Sequence, residues 1–464
     1  MITIMELREK CGIFGVYGRE LPVSRLVFAG LLSLQHRGQE SAGLAVTDGN
    51  YIWHHAGPGL VADVLKEWIL DQFEGHIAVG HNRYSTSQGT DFRHAQPVAV
   101  EESLVIAHNG NLPSTAALEN FLDKEGISTK DLSDSALMAE AINSFVRQGM
   151  PLAEAVSRSF PLFTGSFSLL VMDKNNLIAV RDRCGIKPLS IGRLDGGYVI
   201  SSETCTFAGI GAVWMRDVAP GEMIVVNDAG VQSKILAPAD QKLDVFEFVY
   251  FASPASVLLG RSVYAVRKNC GKELAKETKI EADVVIPVPQ TALPGAIGYA
   301  EESGIPFELG LIRNHYIHRT FIEPDQGLRQ KKVDMKLAVL PDIVDNKRVV
   351  LVDDSIVRGT TSKKIIKKVF DAGAKEVHFV INSPPVRFPD FYGIDTPKQN
   401  ELLAFEKSVE EMNSYLGSTS LHFLSYEGLI RGVGVSEDQL CTSCFTGRYP
   451  VDILERKKEV QGII

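Results

Sequence analysis

The chain has 464 residues, 45% of them hydrophobic, with a formal net charge of -9. That length is a soft prior for two or three domains with substantial cores, and the acidic balance excludes generic nucleic-acid binding, which needs a basic footprint. No uncharged apolar run reaches the length of a membrane span, the first residues, MITIMELREK, lack a signal peptide's apolar core and small-residue cleavage site, and six cysteines in so long a chain do not make a disulfide framework. The expected setting is cytoplasmic, with neither nucleic acid nor membrane as a partner.

Cys11 follows a mostly charged stretch and opens the first sustained apolar run, CGIFGVYG. The segments SAGLAVTDG, HIAVGHNRYST and LVIAHNGNL are short apolar or alternating runs ended by Gly or Asn, which predicts strands. LVFAGLLSLQHRG has helical spacing and a Gly stop, and SDSALMAEAINSFVRQG predicts a helix with Ser133 or Asp134 near its N-cap. FSLLVMD, LIAVRD, YVISSE and EMIVVND follow as further strands, so residues 11–238 read as an α+β domain with largely antiparallel sheets. APADQKLDVFEF crosses to a second domain, 239–464, where the rhythm changes. ADVVIPVP and GAIGYAEESG, then RVVLVDDS and TTSKKIIKKVFDAG, then EVHFVINSP, alternate strand with helix and predict a parallel α/β sheet with ligands at the strands' C-terminal ends. From about Pro397 the chain reads as helical and irregular closing segments.

A thiol at the start of a fold is either core filler or a nucleophile. The chain's own α-amino group titrates near ~8 and can take the thiol proton, provided that the cysteine is the first residue. That requires removal of residues 1–10 as a propeptide. QHRGQESAG, HNRYST, AHNGNL and LSDSALM then place polar residues in apolar surroundings, in that order after CGIFG. This set resembles the N-terminal-nucleophile glutamine amidotransferases. The resemblance implies an αββα-layered α+β glutaminase fold and a set of roles. Cys11 attacks the glutamine carboxamide and forms a thioester. Asn109 and Gly110 form the oxyanion hole, where one donor is typically worth ~3 kcal/mol. Arg83 holds the substrate carboxylate and Asp134 its α-ammonium, while Arg37 and Gly38 lie beside the nucleophile, with Arg37 among the glutamine contacts. Read without the resemblance, Arg83 is a surface ion pair and Asp134 a helix cap.

RVVLVDDSIVRGTTS is a buried strand that ends on two acids and turns through Gly-Thr-Thr into a helix. At a parallel strand's C-terminal end, backbone N–H groups of Arg358, Gly359, Thr360, Thr361 and Ser362 converge on one phosphate, and the helix N-terminus adds a favourable field. Asp353 and Asp354 suit ribose hydroxyls or Mg2+, a hard ion that prefers oxygen; Ser355 adds a hydroxyl. The stretch resembles the 5-phosphoribosyl-1-diphosphate (PRPP) loop of type I phosphoribosyltransferases. The basic segment Ile312–Val333 resembles a loop that closes over PRPP, with Arg319, Arg329, Lys331 and Lys332 as candidates for the pyrophosphate; closure excludes water.

Together the halves resemble the amidotransferases that aminate PRPP, and RDRCGIKPLS, SSET and YEGLIRGVG extend the likeness to the whole chain. The reaction implied is glutamine, PRPP and water giving 5-phosphoribosylamine, glutamate and diphosphate, the first step of de novo purine (IMP) synthesis. A homodimer or homotetramer inhibited by purine nucleotides is implied by the resemblance alone. Some members carry a [4Fe–4S] cluster on four cysteines. Cys441 and Cys444 in LCTSCFTG match two of these, while Asp244 and Asp390 occupy the other two positions. Such clusters are normally held by four thiolates, so a cluster is not expected and any metal at Cys441 and Cys444 is doubtful. Cys184, Cys205 and Cys270 read as structural. The acceptor side departs from the pattern at PVPQTALPG, where Ala292 replaces a serine, at Ser253 in YFASPAS, where an arginine is usual, and at His318, where glycine is usual. These departures leave two alternatives: a divergent paralogue that aminates another phosphoribosyl acceptor, and a non-catalytic nucleotide-sensing relative.

Overall fold

The computed structural model describes residues 11–83, 95–314, 337–393 and 398–463. Its first half is two stacked sheets. In chain order the strands are β1 (Gly12–Tyr17), β2 (Ser41–Thr47), β3 (Ile52–Pro58), β4 (Ile77–Arg83), β5 (Val98–Val100), β6 (Leu104–Asn111), β7 (Ser166–Met172), β8 (Leu177–Arg181), β9 (Ser190–Leu194), β10 (Gly197–Ser201), β11 (Val213–Asp217), β12 (Glu222–Asn227) and β13 (Gly230–Ile235). One sheet runs β11-β9-β10-β1-β4-β2-β3 and the other β13-β12-β8-β7-β6-β5. Every pairing in both is antiparallel.

The alternation within β1 builds the layers. Side chains of a strand point to opposite faces with a period of two. Ile13 and Tyr17 enter the core between the sheets with Val79, Ala107 and Leu170. Phe14 and Val16 enter the outer core with Val23, Val27 and Leu31 of helix Val23–Ser33. On the other side, helix Asp134–Arg147 packs Leu137, Met138 and Ile142 against Ile106, Leu169 and Val171. Helix, sheet, sheet and helix follow in order, which is the expected αββα arrangement. Ser133 caps helix 134–147 by accepting a hydrogen bond from the Ala136 N–H, leaving Asp134 as the first helical residue.

The second half carries a parallel sheet of strands Val284–Pro287, Arg348–Asp353, Glu376–Ile381 and Ser420–Phe423. Both of its faces are covered, as parallel sheets require. Val285, Val350, Val352 and Val380 face helices Val263–Glu277 and Leu293–Ser303. Ile286, Val349, Leu351 and Phe379 face helix Thr360–Asp371, through Ile365, Ile366 and Val369. The crossing segment pairs back on the first half, where Lys242 N donates to Cys184 O and Asp244 N to Ile186 O. Among the described residues no helix is long and apolar enough to cross a membrane.

Candidate active site

Cys11 stands one residue before β1 and is partly exposed. The strand locks from Gly12, opposite Asn82, so the thiol residue is the first to project past the paired register. Behind it lies Ser202, whose Oγ accepts the Ile13 N–H at 3.0 Å and lies 3.5 Å from Asn109 Nδ2. The side-chain amide of Asn109 is thereby held toward the start of β1. Gly110, next along β6, has φ +153°. A Cβ there would sit 2.0 Å from Ser166 O, so only glycine allows β6 to approach β7 this closely.

Asp134 is fixed by the opening turn of its helix. Its Oδ1 accepts from Ser135 N at 2.7 Å and Ser135 Oγ at 3.2 Å, and its Oδ2 lies 3.7 Å from His108 Nδ1. Burial holds the His108 imidazole below its usual value, despite the carboxylate beside it. A neutral imidazole leaves the Asp134 charge uncompensated from that side. Gln96 completes the support: its Oε1 accepts from His108 N at 2.7 Å and its Nε2 donates to Ser135 Oγ at 3.2 Å. Arg83 ends β4, and its main chain is held by pairing to Ser41 and by Glu40 N donating to its carbonyl.

Arg37 is held inside the protein. It was expected at the glutamine, but its side chain is 1% exposed and its donors are committed to protein groups. Nε donates to Cys11 O at 2.9 Å, Nη1 to Glu203 Oε1 at 2.6 Å and to Glu247 Oε2 at 2.9 Å, and Nη2 to Glu247 Oε1 at 2.8 Å. An unpaired cation cannot be buried cheaply, so two carboxylates surround it. Gly38 backs directly onto β4; a Cβ there would lie 2.6 Å from the Asn82 carbonyl carbon.

In the second half, Asp353 closes its strand and Asp354 begins the turn. Asp353 Oδ1 accepts from Asp354 N at 2.9 Å, and Ser355 Oγ donates to Asp354 Oδ1 at 2.8 Å. Gly359 is the N-cap of helix Thr360–Asp371 at φ +73°, a left-handed conformation that favours glycine. Thr360, Thr361 and Ser362 form the first helical turn, where backbone N–H groups have no intrahelical acceptor. Arg358 pairs its guanidinium with Glu401 at 2.6 Å. Oxygen donors at 353 and 354 fit a hard cation such as Mg2+. Arg319, Arg329, Lys331, Lys332 and His318 lie outside the described residues.

The four cluster positions do come together. Asp244 and Cys441 are partners across a short parallel bridge. Burial, then Asp244 and Asp390, push the Cys441 and Cys444 thiols up, away from thiolate. Lys187, in RDRCGIKPLS, inserts its ammonium here and donates to Asp244 Oδ2 at 3.0 Å, with both side chains 3% exposed. Two thiols, two carboxyl groups and a lysine side chain are not the four-cysteine set that holds such a cluster. The loop that delivers Lys187 is organised by Arg181, which donates to the carbonyls of Lys187, Val218 and Gly185, and by Asp182, which accepts from Phe167, Cys184 and Ile186 N–H groups. Burial pushes the other three thiols, Cys184, Cys205 and Cys270, up to about 12, as suits structural cysteines.

Sequence reasoning missed Glu203, Glu247, Ser202 and Lys187. SSET and RDRCGIKPLS were visible as unusual polar runs, but nothing local joins Glu247 to Arg37 across a separation of 210 residues.

An αββα half of antiparallel sheets joined to a parallel α/β half is the architecture of a glutamine amidotransferase coupled to a phosphoribosyltransferase. Residues 81–208 match the family model described as a glutamine amidotransferase domain. The chain is 43% identical to the amidophosphoribosyltransferase of Bacillus subtilis over 98% of this chain and 97% of that protein. It is 44% identical to that of Synechococcus elongatus over 97% of this chain and 93% of that one. The solved structure of the B. subtilis glutamine PRPP amidotransferase, complexed with ADP and GMP, superposes with a TM-score of 0.89 over 96% of this chain and 98% of that one, at 43% identity. The chain belongs to the amidophosphoribosyltransferase family.

Proposed function

We propose that this enzyme converts glutamine, PRPP and water to 5-phosphoribosylamine, glutamate and diphosphate, the first committed step of purine synthesis. The observation that carries the reading is the joining, in one chain, of the Cys11–Asn109–Gly110 constellation to the Asp353–Ser362 turn. The similarity to amidophosphoribosyltransferases over nearly the whole chain favours this acceptor over a divergent one, and the complete nucleophile set speaks against a non-catalytic relative.

With residues 1–10 removed, the α-amine of Cys11 takes the thiol proton and the thiolate attacks the glutamine carboxamide. The C–N bond breaks as ammonia leaves with that proton, and water then releases glutamate from the thioester. Asn109 Nδ2 and the Gly110 N–H face the developing oxyanion, while Arg83 and Asp134 grip the two ends of the amino acid. Ammonia then displaces diphosphate from PRPP, whose 5-phosphate rests on the N–H groups of residues 358–362. Asp353 and Asp354 would hold the ribose hydroxyls or Mg2+, which when bound neutralises diphosphate charge; Ser355 adds a donor. Arg319 and Lys331 are assigned to the pyrophosphate. The domain limits are 11–238 and 239–464. Six cysteines outside any disulfide suit a cytoplasmic enzyme, and purine nucleotides are assigned as inhibitors of a homodimer or homotetramer.

Glutamate release from glutamine is measured with and without PRPP, alongside the intact mass of the active protein. Release stimulated by PRPP in a chain beginning at Cys11 is expected. No release under either condition, or an active chain that retains residues 1–10, overturns the reading.

A further inference from the structure

We infer that Arg37 is a positioning residue, which holds the nucleophile by its own carbonyl and ties that hold to the acceptor half through Glu247 and the segment behind it. The inference rests on the reading of Cys11 as a chain-terminal nucleophile. A first residue has no preceding peptide to anchor it, and its amine and thiol must both stay available. The remaining main-chain handle is its carbonyl, and Arg37 Nε donates to that oxygen at 2.9 Å.

The other guanidinium nitrogens reach two carboxylates from different parts of the chain. Glu247 takes both Nη groups in a two-pronged contact, the arrangement that fixes a guanidinium plane most firmly. Glu203 takes Nη1, while its Oε2 accepts Ser256 Oγ at 2.6 Å and Ser253 N at 2.8 Å. Both glutamate side chains are fully buried. Burial works against the Glu203 charge, but His36 and Arg37 outweigh it and hold that carboxyl well below its usual range. Residues 247–256 thus approach the nucleophile's support at three points, from the end of the crossing segment and the residues just after it.

That segment is in turn pinned to the acceptor turn. Residues 247–251 form a short π-helical turn. Arg267, 3% exposed, donates to its Phe248 carbonyl at 2.7 Å and to the Ala252 carbonyl at 2.8 Å. The Arg267 carbonyl accepts Asn382 Nδ2 at 3.1 Å, and Asn382 N donates to Asp353 O at 2.8 Å. A π-turn is uncommon and tends to mark functional positions. Buried hydrogen bonds therefore run from the Cys11 carbonyl to the strand end that carries the acceptor acids.

The isosteric variant Glu247→Gln keeps one acceptor and the volume but loses the charge and half of the fork. For the folded variant a tenfold or larger fall in kcat for glutamine is expected, with KM changed less than threefold. Alkylation of Cys11 by iodoacetamide, followed by mass mapping, is expected to change in rate, while ammonia-dependent synthesis from PRPP stays within twofold of the parent. A lowered thermal midpoint with unchanged glutamine kcat and unchanged alkylation makes the clamp a fold-stabilising ion pair only, and overturns the inference. Should Glu247→Gln not fold, Ser256→Ala decides, with an expected threefold fall in glutamine kcat; no fall overturns it. The underlying reading fails separately, and visibly, if the parent protein's glutaminase activity survives Cys11→Ala.

Discussion

The two proposed sites are built on opposite plans. The nucleophile end assembles side chains from far apart in sequence: Cys11, Arg37, Asn109, Ser202, Glu203 and Glu247, nearly all buried and cross-bonded. The acceptor turn is almost entirely local, running from Asp353 to Ser362, and offers main-chain N–H groups at a helix start. The difference follows from the chemistry. An oxyanion must be met at a defined point by pre-oriented donors in a water-poor site. A phosphate presents several equivalent oxygens that a single strand-turn-helix can cradle.

The sharpest break of this comparison is a pair of substitutions. Cys11→Ala is expected to lower glutamine-dependent synthesis at least ~1000-fold while leaving the ammonia-dependent reaction, because the acceptor turn does not use the thiol. Asp354→Asn is expected to lower synthesis from both nitrogen sources by about the same factor, ~10-fold or more, since it acts where both routes converge. Initial rates with glutamine and with ammonium salt check both at once. If either variant shows the other's pattern, the two-site division is wrong.

The junction between the halves provides the next test. Lys187 and Asp244 form a buried pair, and removing one partner of such a pair typically costs ~3–5 kcal/mol. Urea unfolding of Lys187→Met is expected to show a loss in that range. Adding Asp244→Leu is expected to recover part of it, because the orphaned charge is then gone. A loss under ~1 kcal/mol would mean that solvent reaches the pair.

The smallest effect is expected at the exposed rim of the parallel sheet. Asp283 accepts from Arg348 N at 2.8 Å and Nη2 at 3.0 Å, and these contacts hold its carboxyl down, to about 2. Its unfolded value is near ~3.9, so the contribution is present in full above that pH and is lost as pH falls through about 2. The gap in thermal midpoint between Asp283→Asn and the parent is expected to be constant above about pH 5, to shrink below about pH 4, and to narrow with added salt. A gap that widens on acidification would contradict the sign.

The same contrast explains what could be read in advance. The strand-turn-helix around Asp353 to Ser362 was legible because all its parts lie within ten residues. The helix from Asp134 and the strands around Cys11 and Asn109 were legible from period and cap residues. Arg37 was read as a glutamine contact because a basic residue next to a nucleophile suggests one, and its buried bonds carried no local signal. Its true partner lies 210 residues away and carries no local mark. Lys187 was hidden for the same reason: its motif was seen, but its destination, Asp244, was not.

By itself the sequence determined where the strands and helices of both halves fall, since these depend on short-range periodicity, capping and turn residues, while the layering and the roles proposed for Cys11, Asn109, Gly110 and the Asp353–Ser362 turn came from the resemblance. Only the tertiary structure decided where buried charge goes. Arg37 must find Glu203 and Glu247, and Lys187 must find Asp244, because a desolvated ion is tolerated only against a counter-ion. Which counter-ion that is depends on chain segments that meet only when the two halves have folded together.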